Sequence, residues 1–208
     1  MAKLPAPPSV ERLRAIGPDV VTLPRGTLLW RIYFRGGDQP VTWRTLRAFG
    51  PVDARFDHHL PPPHEQERAI LYAAREWPTC LAEAFQRQRE VDRRVRAPWL
   101  AGFRLARGVR LLDLTGGWPT RAGASMAIHS GSRARGRDWS RAIHQAFPRV
   151  QGLLACSSMD SNRPTVALYE RAGPAMPASP ELHRALVDPG LAPYLRGAAA
   201  WLGYSIAL

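Results

Sequence analysis

Residues 67–94, ERAILYAAREWPTCLAEAFQRQREVDRR, pass from one periodicity to another. ERAILYAA is a short apolar run containing an aromatic and reads as a strand. In PTCLAEAFQRQREVDRR, Leu81, Ala84 and Phe85 fall on helical spacing behind Thr79, a residue type that caps helix N-termini, so a helix is predicted over this stretch. Tyr72 then lies in the strand, and Glu83 projects from the first turns of the helix. A strand leading into a helix, with no regular strand–helix–strand repeat elsewhere in the chain, points to an α+β fold.

Working outward, TLLWRIYF (27–34) follows the turn residues of LPRGT and is another strand, with Arg31 set among apolar and aromatic neighbours. WLAGFRL (99–105), VRLLDL (109–114), VQGLLACSSM (150–159) and PTVALYERA (164–172) supply further strands. RDWSRAIHQAF (137–147) carries Trp139, Ala142, Ile143 and Phe147 on one face of an amphipathic helix. LAPYLRGAAAWLGYSIAL (191–208) predicts a terminal helix packed back on the core, and HHLPPPHEQ (58–66) is a loop by its three consecutive prolines. Residues 1–22, proline-rich and then ERLRAI, read as an arm outside the core, which leaves 23–208 as a single domain with a C-terminal helix.

The 208 residues are 45% hydrophobic, enough to build one full core. No apolar run approaches the ~20 residues that span a bilayer. The prolines of MAKLPAPPSV interrupt the apolar stretch that a signal peptide needs, so a cytoplasmic location is expected. Cys80 and Cys156 sit in apolar segments and read as reduced core thiols. The six histidines show neither HExxH nor paired CxxC spacing, so no metal site is expected. A formal charge of +12 and a pI near 11.1 call for a polyanionic ligand, an acidic partner or nucleic acid. The densest basic stretches, 86–96 and 131–141, are not interleaved with aromatics in a stacking pattern, which disfavours direct nucleic-acid binding.

Five polar residues stand inside or beside segments that otherwise read as core: Arg31 in LLWRIYF, Arg55 in DARFD, Tyr72 in ILYAA, Glu83 in TCLAEAF and Ser157 in LLACSSM. Burying an unpaired guanidinium costs several kcal/mol, so Arg31 needs a partner. Arg55 has an alternative role in a turn salt bridge with Asp53 or Asp57. Two arginines, an aromatic, a carboxylate and a hydroxyl gathered together suit a dianionic, sugar-containing ligand. Tyr33 is a weaker candidate for the same pocket.

The order and flanks of these residues, from about Leu23 to about Ala172, resemble the RES domain family, named for its Arg, Glu and Ser. LLWRIYF resembles the family's first Arg strand, DARFD its second Arg segment without the usual preceding glycines, ILYAA with TCLAEAF its Tyr and Glu block, and GLLACSSM the segment ending in its Ser, at Ser157 or the neighbouring Ser158. The resemblance implies an ADP-ribosyltransferase-like mixed sheet core with surrounding helices. It implies NAD as substrate, not cofactor, and a toxin neutralised by an antitoxin of the Xre, helix-turn-helix type, with room for a homo-oligomer in that complex. Glu83 would stabilise the cation formed as the nicotinamide–ribose bond breaks. Arg31 and Arg55 would clamp the pyrophosphate or an inorganic phosphate co-substrate, Tyr72 would stack on nicotinamide, and Ser157, with Ser158 beside it, would bind phosphate or the nicotinamide amide. Water or phosphate as acceptor, and transfer of ADP-ribose to a protein, all remain open at this level. So does a non-catalytic nucleic-acid-binding module, as the remaining alternative. The loop 58–67 is a candidate lid or antitoxin contact.

Overall fold

A computed structural model describes residues 4–37, 40–160 and 162–207. Its helices are α1 (Val10–Ile16), α2 (Trp77–Ala84), α3 (Trp118–Arg121), α4 (Ala127–Ser130), α5 (Arg133–Ala146) and α6 (Ala192–Leu202). Its strands are β1 (Val20–Leu23), β2 (Leu28–Phe34), β3 (Arg47–Gly50), β4 (His64–Ala74), β5 (Glu90–Val91), β6 (Pro98–Arg104), β7 (Val109–Asp113), β8 (Gly152–Cys156), β9 (Pro164–Tyr169), β10 (Leu182–Ala185) and β11 (Ser205–Ile206). Nine strands form one sheet in the order β1-β7-β8-β9-β4-β2-β6-β10, with β3 beside β4. β7 and β8 are parallel and the other pairs in this sheet are antiparallel, so the expected mixed-sheet α+β architecture is what forms.

The sheet is not continuous in its middle. β2 pairs with β6 over seven residues and β4 with β9 over five, but β2 and β4 meet at one pair, Trp30 with Ala74. Beyond that pair the strands diverge. Arg31 follows immediately on one lip and Tyr72 lies on the other, so the split in the sheet is the opening that holds the candidate residues.

Helices cover both halves. On one side α5 lays Trp139, Ile143 and Ala146 into a core shared with Trp118, Leu112 and Leu153, the two indoles meeting edge to face at 6.4 Å. On the other, α2 and α6 bury Leu81, Leu195 and Ala199 against Leu100 of β6. Gly203, at a φ of 68°, ends α6 in the left-handed conformation that glycine adopts freely, so the terminal helix stops at Leu202 and the chain returns as β11 alongside β5.

Three expectations are corrected. Residues 4–22 are not an arm outside the core, residues 1–3 lying outside the described residues: Leu4 and Leu13 are buried in it, and β1 pairs with β7. The indole N–H groups of Trp139 and Trp118 supply part of the reason, because they donate to the carbonyls of Pro5 (2.9 Å) and Gly17 (2.7 Å). Leu13→Ala is accordingly expected to cost about 2–5 kcal/mol, read as a lowered midpoint in urea unfolding. Residues 64–67 are strand, not loop, and His58 and His59 are fully buried, which leaves residues 60–63 as the exposed loop part of the proposed lid.

The third correction concerns α2. Pro78 lies in its first turn, so the helix begins at Trp77, ahead of Thr79, and it ends at Ala84. Phe85 and Val91 are both buried in the same cluster, yet six residues apart they would lie about 120° apart around a helix. Tertiary burial therefore takes the chain out of the helix, and Val91 joins β5 instead. Glu83 consequently sits in the last turn of α2, not near its N-terminus.

Candidate active site

A cleft of about 620 Å³ occupies the split between β2 and β4. Arg31, Arg55, Tyr72, Glu83 and Ser158 line it, from five separate segments of the chain. Tyr33 does not. Its hydroxyl lies 2.5 Å from Nε2 of His183 and accepts from Nε of Arg35, and its ring stacks on His183 away from the cleft.

Arg31 is 8% exposed and uses Nη1 to donate to the carbonyls of Trp43 and Thr45, each at 3.0 Å. No carboxylate pairs with it among the described residues. Burial lowers its pKa to about 10, which leaves it charged at neutral pH. Arg55 donates through Nη1 to the Gly131 carbonyl. Its alternative role in a turn salt bridge is not realised: Asp53 takes Arg87, Arg133 and Arg137, while Asp57 takes Arg47 and His59. Burial, followed by the charge of Arg133, lowers the Arg55 pKa. The glycine that this segment requires lies across from it, at Gly136 of α5. A Cβ there would come within 2.7 Å of the Arg55 carbonyl oxygen.

The Tyr72 hydroxyl is buried without a hydrogen-bond partner of good geometry. Burial raises its pKa well above 10, so it stays a neutral donor. Ser157 Oγ accepts the N–H groups of Met159 and Asp160, both at 3.1 Å, and donates its proton to Glu83 Oε1 at 2.6 Å. With its lone pairs taken and its proton on a carboxylate, Ser157 is arranged to hold Glu83 and not to attack a substrate.

Spacing along the chain gave no sign of His129, Arg96 or Arg133, which also line the cleft. His129 Nε2 lies 3.0 Å from the Leu114 carbonyl, and its Nδ1 accepts the Cys156 N–H at 3.2 Å, which assigns the Nε2–H tautomer. Burial lowers its pKa, so it faces the cleft neutral and with both nitrogens engaged. Arg31, Arg55, Arg87, Arg96 and Arg133 stand against Asp53 and Glu83 in the lining, a surplus of positive charge suited to a dianion. Cys80 is an inert thiol, pushed up to about 12 by burial.

A buried polar cluster lies elsewhere, from residues too far apart in sequence to suggest it. His58, His144 and Glu170 bring ligand-type atoms within 4.8 Å of one another. Glu170 lies 2.9 Å from His58 Nε2 and 2.7 Å from His144 Nε2. Arg171 reaches the same carboxylate at 3.4 Å and His144 Nδ1 at 3.3 Å. A guanidinium at Nδ1 makes that atom the acceptor and puts the His144 proton on the nitrogen that a metal would need, so the trio fits a hydrogen-bonded brace better than a cation site.

This brace sets an acid limit on stability. Burial outweighs the Glu170 hydrogen bond and lowers the His58 pKa from 6.5 to about 4. The unfolded chain therefore takes up the His58 proton first, so its contribution is complete above about pH 6.5 and is lost as pH falls toward 4. The melting temperature should decline across that window in wild type, with a flatter profile in His58→Gln.

With the geometry in hand, the RES domain family model matches residues 28–189. The chain belongs to the RES domain family. The match contains Arg31, Arg55, Tyr72, Glu83, Ser157 and Ser158, and leaves α1, β1, α6 and β11 outside it. No curated protein matches this RES domain protein. Among solved structures, the crystal structure of the M. tuberculosis MbcT-MbcA toxin-antitoxin complex contains a chain similar to it in fold, with a TM-score of 0.58 and 17% identity over 90% of this chain and 96% of that one. Among the described residues of the RES domain protein, no helix is long and apolar enough to cross a membrane.

Proposed function

We propose that this RES domain protein is a toxin enzyme that destroys NAD by cleaving its nicotinamide–ribose bond, with phosphate or water as acceptor, and that a cognate antitoxin of the Xre, helix-turn-helix type restrains it. The observation that carries the reading is the pairing, across one cleft, of a buried Arg31 without a carboxylate partner among the described residues and a Glu83 carboxylate held in place by Ser157. The first calls for an anion, and the second for a cationic centre. NAD and its transition state supply both.

In this reading the pyrophosphate lies between Arg31 and Arg55, where the guanidinium N–H groups not already engaged by carbonyls meet phosphate oxygens. The nicotinamide lies against the side chain of Tyr72, which lines the cleft. As the C–N bond breaks, its electron pair goes to the pyridinium nitrogen and neutralises it, so the leaving group needs no proton. The positive charge moves to the ribose ring, where Glu83 stabilises it as carboxylates do in glycoside cleavage. No general acid is required, which suits a cleft whose histidine has both nitrogens engaged. A phosphate acceptor attacks as an anion and needs no base. A water acceptor must lose a proton, and Glu83 is placed to take it, because Asp53 is bound to three arginines.

Basic stretches 86–96 and 131–141 also fit this reading better than nucleic-acid binding. Arg87, Arg133 and Arg137 converge on Asp53, and Arg135 and Arg141 on Asp138, so five of these arginines are tied to carboxylates of the same fold, and the first group leaves its surplus charge at the rim of the cleft. The test is induced expression in a bacterial host. Growth arrest together with a fall in cellular NAD, both relieved by co-expressing the gene encoded beside this one, is expected. Arrest with NAD undiminished, and label from radioactive NAD appearing on a host protein, would replace cleavage with protein ADP-ribosylation.

A further inference from the structure

We infer that Thr79 and Asp160 are positioning residues for Glu83, closing a hydrogen-bonded ring that fixes its carboxylate through Ser157. Thr79 Oγ1 donates to Asp160 Oδ2 at 2.6 Å. The Asp160 N–H donates to Ser157 Oγ at 3.1 Å, and Ser157 Oγ donates to Glu83 Oε1 at 2.6 Å. The ring closes along α2, because Thr79 and Glu83 are four residues apart and share a face about 6 Å apart along the axis. Two elements that carry different parts of the site, α2 and the turn after β8, are thus stapled one helical turn away from the reacting carboxylate.

Burial argues that the staple is kept for what it positions. Thr79 is fully buried, Ser157 is 1% exposed and Asp160 is 2% exposed. The second Asp160 oxygen, Oδ1, is buried with no partner, and Asp160 pairs with no cation among the described residues. A buried side chain with one oxygen left unpartnered is a poor device for stability alone, since the unmade hydrogen bond costs free energy. It does what an uncharged residue does less well: it accepts a strong hydrogen bond at one fixed point and orients the turn whose amides hold Ser157. Neither residue lines the cleft, so both act on the reaction through Glu83 and Ser157.

This inference rests on the proposal that Glu83 is the reacting carboxylate, and the test separates the two. Thr79→Val keeps the shape and removes the hydroxyl. It is expected to lower kcat for NAD about 10- to 100-fold, the range associated with a small misplacement of a catalytic group, with KM for NAD unchanged. Thr79→Ser restores the donor and should recover kcat, which a merely structural methyl contact would not do. If Thr79→Val retains wild-type kcat while Glu83→Ala is inactive, the ring is wrong and the proposed reaction stands. If Glu83→Ala consumes NAD like wild type, or wild type consumes none, the reaction is wrong, and the ring is judged by stability alone. Thr79 and Ser157 share no direct hydrogen bond, so independent residues would give additive losses of melting temperature in Thr79→Val, Ser157→Ala and the double variant. A double-variant loss smaller than the sum supports the ring, and an additive one overturns it. Far-UV circular dichroism of each variant establishes that it is folded.

Discussion

Glu83→Gln is expected to lower NAD turnover by about 10²–10³-fold while leaving the fold intact. The substitution conserves shape and leaves an oxygen that accepts the Ser157 proton, now donated across 2.6 Å to Glu83 Oε1. What it removes is the charge, and charge is what the account asks of this residue, since the ribose becomes cationic as nicotinamide departs. Remote binding by the arginines is untouched, so KM for NAD should change little and the loss should fall on kcat. A Glu83→Gln protein with wild-type kcat would remove the carboxylate from the mechanism. Circular dichroism and an unchanged melting temperature guard against a trivial loss through misfolding.

The second large effect is on binding. Arg31→Met replaces the buried guanidinium by an apolar chain of similar length, and is expected to abolish the thermal stabilisation that ADP-ribose confers on the wild type. A ligand that binds only the folded state at about 100 times its Kd stabilises by about 2.7 kcal/mol. For a chain of this size that is a rise in melting temperature of about 5–10 °C. In the proposed binding mode Arg31 supplies the donors that face the pyrophosphate, with Nη1 already tied to the carbonyls of Trp43 and Thr45. The variant should therefore melt at the same temperature with and without ADP-ribose. Arg31→Lys should recover only part of the rise, because an ammonium cannot serve two carbonyls and a phosphate in the fork geometry of a guanidinium. An undiminished shift in Arg31→Met would place the pyrophosphate elsewhere in the cleft.

Much of the site was legible because its residues violate their surroundings. Arg31 is conspicuous as a charge in the middle of an apolar strand, and its burial without a carboxylate among the described residues turned that anomaly into geometry. Glu83 was identifiable, but its place in the helix was not: helical periodicity runs on through 94, and nothing local reveals that Val91 must be buried on a side where a helix would not put it. Tyr33 illustrates the limit of strand alternation. It shares a face of β2 with Arg31, yet its hydroxyl is claimed by His183 of β10, 150 positions away in the chain. His129, Arg133 and Gly136 carried no signal, since each enters the site only because α4 and α5 pack over the Arg55 segment. The proline-rich start misled for a related reason. Its prolines signal irregular backbone correctly, but Leu4, Leu13 and two backbone carbonyls are needed by the core, and that need belongs to Trp118 and Trp139.

The most direct measurement is NAD consumption by the purified protein, freed of any antitoxin, with and without inorganic phosphate and with products resolved by chromatography. Loss of NAD with release of nicotinamide is expected, accompanied by ADP-ribose 1″-phosphate if phosphate is the acceptor and by ADP-ribose if water is. NAD left intact under both conditions by a folded protein would contradict the proposed cleavage.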